Sequence, residues 1–185
     1  MKTFSRVAAI AFGLMMTALC VVIAVETVLR KLLDTSLGGV DELSGYAIAI
    51  GAPLCFTVAA IEQSHIRINL IHMKLPRPVQ AGLNALAAVA LALLALYLAT
   101  FTLRTVRETQ LYGSIAQTPW ATPLIWPQAL WLVSMAIFTL AACLLAARAV
   151  LLALRRDSKS LVTEFGPDSV ETELKAELSD LEART

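Results

Sequence analysis

Four apolar runs, each long enough to cross a lipid bilayer, constrain this 185-residue chain more than any other feature. The hydrocarbon core of a membrane is ~30 Å thick and an α-helix rises ~1.5 Å per residue, so a spanning helix needs ~20 mostly apolar residues. Val7–Leu29, Val40–Ile61, Val79–Leu103 and Ala129–Leu154 meet that requirement. The expectation is an all-α membrane protein with four transmembrane helices. Composition agrees, with 58% of residues hydrophobic and 16% charged, against about 45–50% and 25% in soluble domains.

Lys2 and Arg6 ahead of the first run invite a reading as a secretory signal. The run is longer than a signal core, no A-x-A site ends it, and Leu19 is too bulky before Cys20 for a lipoprotein site. It is read as a retained helix. The domain division is 1–156, a four-helix transmembrane domain, and 157–185, an acidic cytoplasmic tail. That tail holds eight acids and three bases, a net −5, whereas the whole chain carries +1. Leu174, Leu178 and Leu181 fit one face of a short helix; a disordered tail is the other reading.

Lys and Arg in short loops set orientation. Lys2, Arg6, Arg67, Lys74, Arg77, Arg155, Arg156 and Lys159 fall on one side, against Arg30, Lys31, Arg104 and Arg107 on the other. Both termini are therefore expected in the cytoplasm. Trp120, Trp126 and Trp131 precede the last span and belong at the outer interface, where indole keeps its N–H wet.

Two alanine stripes, Ala88, Ala92, Ala95 and Ala99 in span three and Ala142, Ala146, Ala149 and Ala153 in span four, each share a helical face. Small faces let helices approach closely in lipid. Pro53 in span two removes a backbone donor and predicts a kink of static, structural role. Cys20, Cys55 and Cys143 lie apart in apolar runs and read as small core residues, with no zinc spacing.

Charges within spans are costly and few. Glu26 and Arg30, four residues apart, read as a structural pair near the outer end of span one. Arg148 reads as snorkelling to headgroups, and Asn84 as hydrogen-bonding across helices. No midplane carboxylate pair, broken-helix repeat, nucleophile set or phosphate loop appears in the sequence. His65 and His72 share one short loop, which argues against haem. The chain reads as neither an enzyme nor a cofactor or nucleic-acid binder. Taken alone, it is poorly equipped to move a polar solute.

Two connections carry the remaining information. In the first, Gly38-Gly39 makes a turn, Asp41 is placed to cap span two, and Glu42 sits in its first turn; Arg30, Asp41 and Glu42 are candidate partner contacts on the outer face. The second, Glu62–Pro76, is a short interfacial helix or loop between helices two and three. Its His65, Arg67, Asn69 and Lys74 are candidate lipid or partner contacts on the cytoplasmic side.

Three stretches, in order and spacing, resemble a known family: Gly39-Val40-Asp41-Glu42-Leu43-Ser44-Gly45-Tyr46 after Arg30, His65-Ile66-Arg67-Ile68-Asn69-Leu70 with Leu75-Pro76 beyond, and Thr122-Pro123-Leu124-Ile125-Trp126-Pro127-Gln128. The chain resembles the small membrane subunit of tripartite ATP-independent periplasmic (TRAP) transporters over about Val7–Arg156. It departs from many relatives at Asn69, where they carry an acid, at Gly39-Val40, where they carry a Trp, and in the acidic tail. The resemblance implies a scaffold subunit in the bacterial inner membrane. It would sit beside a large membrane subunit that holds the substrate and sodium sites. A periplasmic binding protein would deliver a small organic anion, such as a C4-dicarboxylate or sugar acid, for symport. Against it stand a self-sufficient four-helix exporter with Glu26 as coupling acid, and a membrane enzyme or redox subunit.

Overall fold

A computed structural model describes residues 2–63 and 74–166, together with Leu178. Among these residues five helices form in chain order: α1 Lys2–Leu32, α2 Val40–Ile61, α3 Arg77–Tyr112, α4 Ile125–Leu154 and α5 Ser158–Phe165. No strand occurs among the described residues. The first four helices are long and apolar enough to cross a membrane. Lipid offers backbone groups no partners, so helices that satisfy their own N–H and C=O groups are the form such runs take.

The α2 bounds coincide with the apolar run, but α3 extends nine residues beyond Leu103. Hydropathy falls at Arg104, yet nothing there stops the backbone ladder. The stop comes at Gly113, whose left-handed conformation (φ 58°) turns its N–H back to the Thr109 carbonyl. At the other end Pro76 and Pro78 flank the first residue of α3, where a missing N–H costs nothing. Pro53 lies buried within an unbroken α2, and the Thr57 hydroxyl donates to its carbonyl at 2.8 Å.

The helices pack as an open row in the order α1–α2–α4–α3, with α5 laid against α3 and α4. Side-chain size, rather than polarity, marks the inner faces. On α3 the positions Ala81, Ala85, Ala88, Ala92, Ala95, Ala99, Thr102, Val106 and Thr109 alternate spacings of four and three and are all buried or half-buried. That is the 3.5-residue repeat of a paired-helix seam. Ala92 and Ala95 meet Met135, Phe138, Ala142 and Ala146 of α4, with Ala60 of α2 closing the cluster. The Thr139 hydroxyl reaches across to the Ala95 carbonyl at 3.2 Å. Large side chains such as Leu86, Leu93, Leu140 and Leu144 point outward.

The predicted stripes therefore lie in the seam, except at its end. Ala153 is exposed, and Ala149 is the final buried alanine of α4. Cys20, read as a core residue, is also exposed, since among the described residues α1 packs mainly on α2 and leaves most of its circumference uncovered. The contact between α1 and α2 depends on Gly51. A Cβ there would lie 2.2 Å from the Phe12 ring.

Helix α5 falls within the segment assigned by charge to the tail. Asp157 caps it, accepting from the Ser160 N–H at 3.1 Å and from its hydroxyl at 2.6 Å. These bonds hold the Asp157 carboxyl below the usual range for an aspartate. Leu161 and Phe165, four apart, bury one face against Ala81 and Ala149. Arg148 does not snorkel freely. Its guanidinium donates from Nε and Nη2 to both oxygens of Glu164, at 2.5 and 2.7 Å. The leucine face proposed at 174–181 lies outside the described residues apart from Leu178, as does the connection 64–73.

Candidate functional site

The end of the row formed by the α1–α2 and α3–α4 connections gathers most of the singled-out residues. Glu26, nearly two turns before the end of α1, is buried and fully engaged. Its Oε1 accepts from Arg30 Nη2 at 2.7 Å and from the Ser36 hydroxyl at 2.5 Å. Its Oε2 accepts from the Leu37 N–H at 2.7 Å. The carboxylate thus folds the chain after α1 back over the helix end. Arg30 remains largely exposed beside it.

Gly38 and Gly39 then turn the chain with φ of 58° and 101°. The space left by Gly39 is taken by Trp120 of the other connection; a Cβ would lie 2.6 Å from the indole. Glycine is required here twice over, by conformation and by contact. Asp41 does not cap α2. The helix begins at Val40, so Gly39 occupies the cap position and Asp41 falls inside the first turn, exposed.

Glu42 is buried at 8% exposure. Its Oε1 accepts from the Tyr46 hydroxyl at 2.7 Å. Its Oε2 accepts from the Thr118 hydroxyl, 76 residues away, and Thr122 lies alongside. The carboxylate latches the start of α2 to the α3–α4 connection. That connection is itself closed by the Ala116 N–H on the Thr122 carbonyl at 2.9 Å and the Leu124 N–H on the Ser114 carbonyl at 3.1 Å.

Among the candidate contacts here, Arg30 and Asp41 are therefore exposed, and Glu42 is committed internally. Arg30, Lys31 and Asp41 border a cavity of about 310 Å³ with Ile23, Glu26 and Thr27. Trp126 and Trp120 are exposed and Trp131 is half-buried. At the opposite end Lys74 is exposed, whereas His65, Arg67 and Asn69 lie outside the described residues. Sequence reasoning missed Ser36, Tyr46 and Thr118. Tyr46 carried a signal, four residues after Glu42 on the same helical face, but nothing in the sequence tied either connection to Thr118.

Residues 19–153 match the family described as Tripartite ATP-independent periplasmic transporters, DctQ component. The chain belongs to that family. It is accordingly the small membrane component of a TRAP transporter, a transport protein rather than an enzyme, and a multi-pass protein of the inner membrane. Its family implies association with a large membrane subunit and a binding protein. No curated protein matches the chain significantly.

Proposed function

We propose that this DctQ-family chain is the scaffold subunit of a sodium-coupled TRAP importer for a small organic anion, a carboxylate or sugar acid. In this reading the large subunit carries the solute and sodium, and this chain extends the fixed frame against which the moving part works. The family match over residues 19–153 carries the reading. The engagement of Glu26 supports it over the self-sufficient exporter. A coupling acid must exchange its proton with a pathway, and Glu26 is instead held by Arg30, Ser36 and the Leu37 N–H.

Both termini face the cytoplasm in this proposal, by the Lys and Arg balance. Arg30 and Asp41 then face the periplasm, where the binding protein docks, with Glu42 maintaining the surface they stand on. His65, Arg67, Asn69 and Lys74 meet lipid or the large subunit at the cytoplasmic interface.

The test begins with a tagged chain purified from its native membranes in mild detergent. The expected result is a large TRAP membrane subunit in roughly equal amount, identified by mass spectrometry. A chain that purifies alone would overturn the scaffold reading. Charge reversal of the exposed Asp41, Asp41→Lys, is expected to lower uptake while leaving the heteromer intact. Unchanged uptake would remove the docking role of Asp41.

A further inference from the structure

Asn84 was expected to hydrogen-bond to a neighbouring helix, but its Nδ2 has no partner among the described residues although the residue is only 6% exposed. A buried amide donor left unpaired at membrane depth costs free energy, so the position calls for an acceptor that the described residues do not supply. The side chain lines a cavity of about 270 Å³ between α2, α3, α4 and α5. Gln63 is the other polar residue on that wall, and the rest is apolar, with Ala60, Ala88, Leu91, Leu145 and Phe165. Among the described residues no charged side chain lines it, which disfavours a free anion. Its volume equals about nine waters at ~30 Å³ each, but two amides on otherwise apolar walls give so many waters too few of the polar partners they need. A partner helix, ~10 Å across, is too wide for it.

Depth narrows the choice. Asn84 follows Arg77 by seven residues, which places it on nearly the same face of α3 and ~10 Å further along the axis. Arg77 and Lys74 are exposed at that end. The polar interfacial layer of a bilayer is about 5–8 Å thick on each side. If the two cations lie at phosphate level, Asn84 lies where headgroup gives way to hydrocarbon. A molecule that is anionic at the top, carries a carbonyl acceptor at the boundary and continues as an alkyl chain fits all three levels.

We infer that this cavity binds one phospholipid, with an acyl chain in the groove, an ester carbonyl accepting from Asn84 Nδ2, and the phosphate against Arg77 and Lys74. The inference needs membrane embedding but neither the transporter reading nor a particular leaflet. The test uses the full chain, with its large subunit if one co-purifies, in nanodiscs of diester phosphatidylglycerol or of the diether analogue. The two lipids share a headgroup and differ at the carbonyls. Lipid retained after extraction is counted by native mass spectrometry.

One retained diester lipid per chain is expected, favoured about fivefold over the diether, as a single hydrogen bond allows. Asn84→Leu is expected to abolish the preference. Ala87→Phe, at another lining position, is expected to lower retention of both lipids. Equal retention of diester and diether by the unmodified protein would overturn the inference, and that comparison stands even where a variant fails to fold. Unchanged lipid retention by Asn84→Leu with loss of the large subunit would assign Asn84 to a protein contact instead, and would also overturn it.

Discussion

Glu42 and Gly39 stand three residues apart and join the two connections by different means, one through a charge and one through the absence of a side chain. Glu42→Ala would leave the Tyr46 and Thr118 hydroxyls without their acceptor, at a cost of about 1–3 kcal/mol. Asp41→Ala, one residue earlier but exposed, is expected to change stability by less than about 0.5 kcal/mol. Thermal unfolding of the purified protein in detergent compares the two, and equal losses would contradict the latch. Gly39→Ala imposes a left-handed conformation on a residue with a Cβ, worth about 1–2 kcal/mol, and pushes that Cβ into Trp120. It is expected to lower the unfolding temperature and to alter Trp fluorescence. At this scale the sequence was half legible. The Glu26–Arg30 and Glu42–Tyr46 spacings follow from helix periodicity alone. The Glu42–Thr118 bond spans 76 residues and depends on how α2 meets α4, which no local pattern encodes.

Among the elements, the α3–α4 seam and α5 behave oppositely toward substitution. Ala95 is fully buried, so Ala95→Leu overfills the seam and is expected to cost about 1–3 kcal/mol. Ala153→Leu, from the same predicted stripe but exposed, is expected to be neutral in the same unfolding assay. Helix α5 has few residues and leans on Leu161 and Phe165; Phe165→Ala is expected to cost its docking about 3 kcal/mol, seen as faster proteolysis between α4 and α5. Arg148 holds the Glu164 carboxyl below the ordinary glutamate value of 4.5. A lowered folded value means that the pair's support is present above that pH and fades as pH falls through the lowered value. Protection of the α4–α5 link should therefore decline in strong acid and hold near neutrality. Because the pair is partly exposed, the effect is modest. Charge counting assigned this segment to the tail. The i, i+4 pair Leu161 and Phe165 and the Asp157 cap were visible signals that it could form an anchored helix.

For the whole molecule, fold class was legible because lipid as solvent enforces it. Every residue of each run must satisfy its own backbone, and length does the rest. The order α1–α2–α4–α3 was not legible. In water polarity marks the outer face of a helix, but here both faces are largely apolar, and the alanine seam of α3 is set apart by side-chain size. Orientation can be tested directly, in a background with Cys20, Cys55 and Cys143 replaced by Ala. Thr35→Cys and Gln117→Cys, both at exposed positions, are expected to react with a membrane-impermeant maleimide in spheroplasts. Lys74→Cys and Lys159→Cys are expected to react only after permeabilisation. The reverse pattern would invert the topology. The open row has a wider consequence. A ring of helices shields its own centre, whereas a row has lipid or partner along both broad sides, and this one mixes lengths: 22 residues in α2 and 36 in α3, about 33 and 54 Å. Such a plank registers the thickness of its surroundings through tilt. Acyl-chain length in a reconstituted membrane thus becomes a dial on the geometry of the assembly, set by the bilayer before any solute arrives.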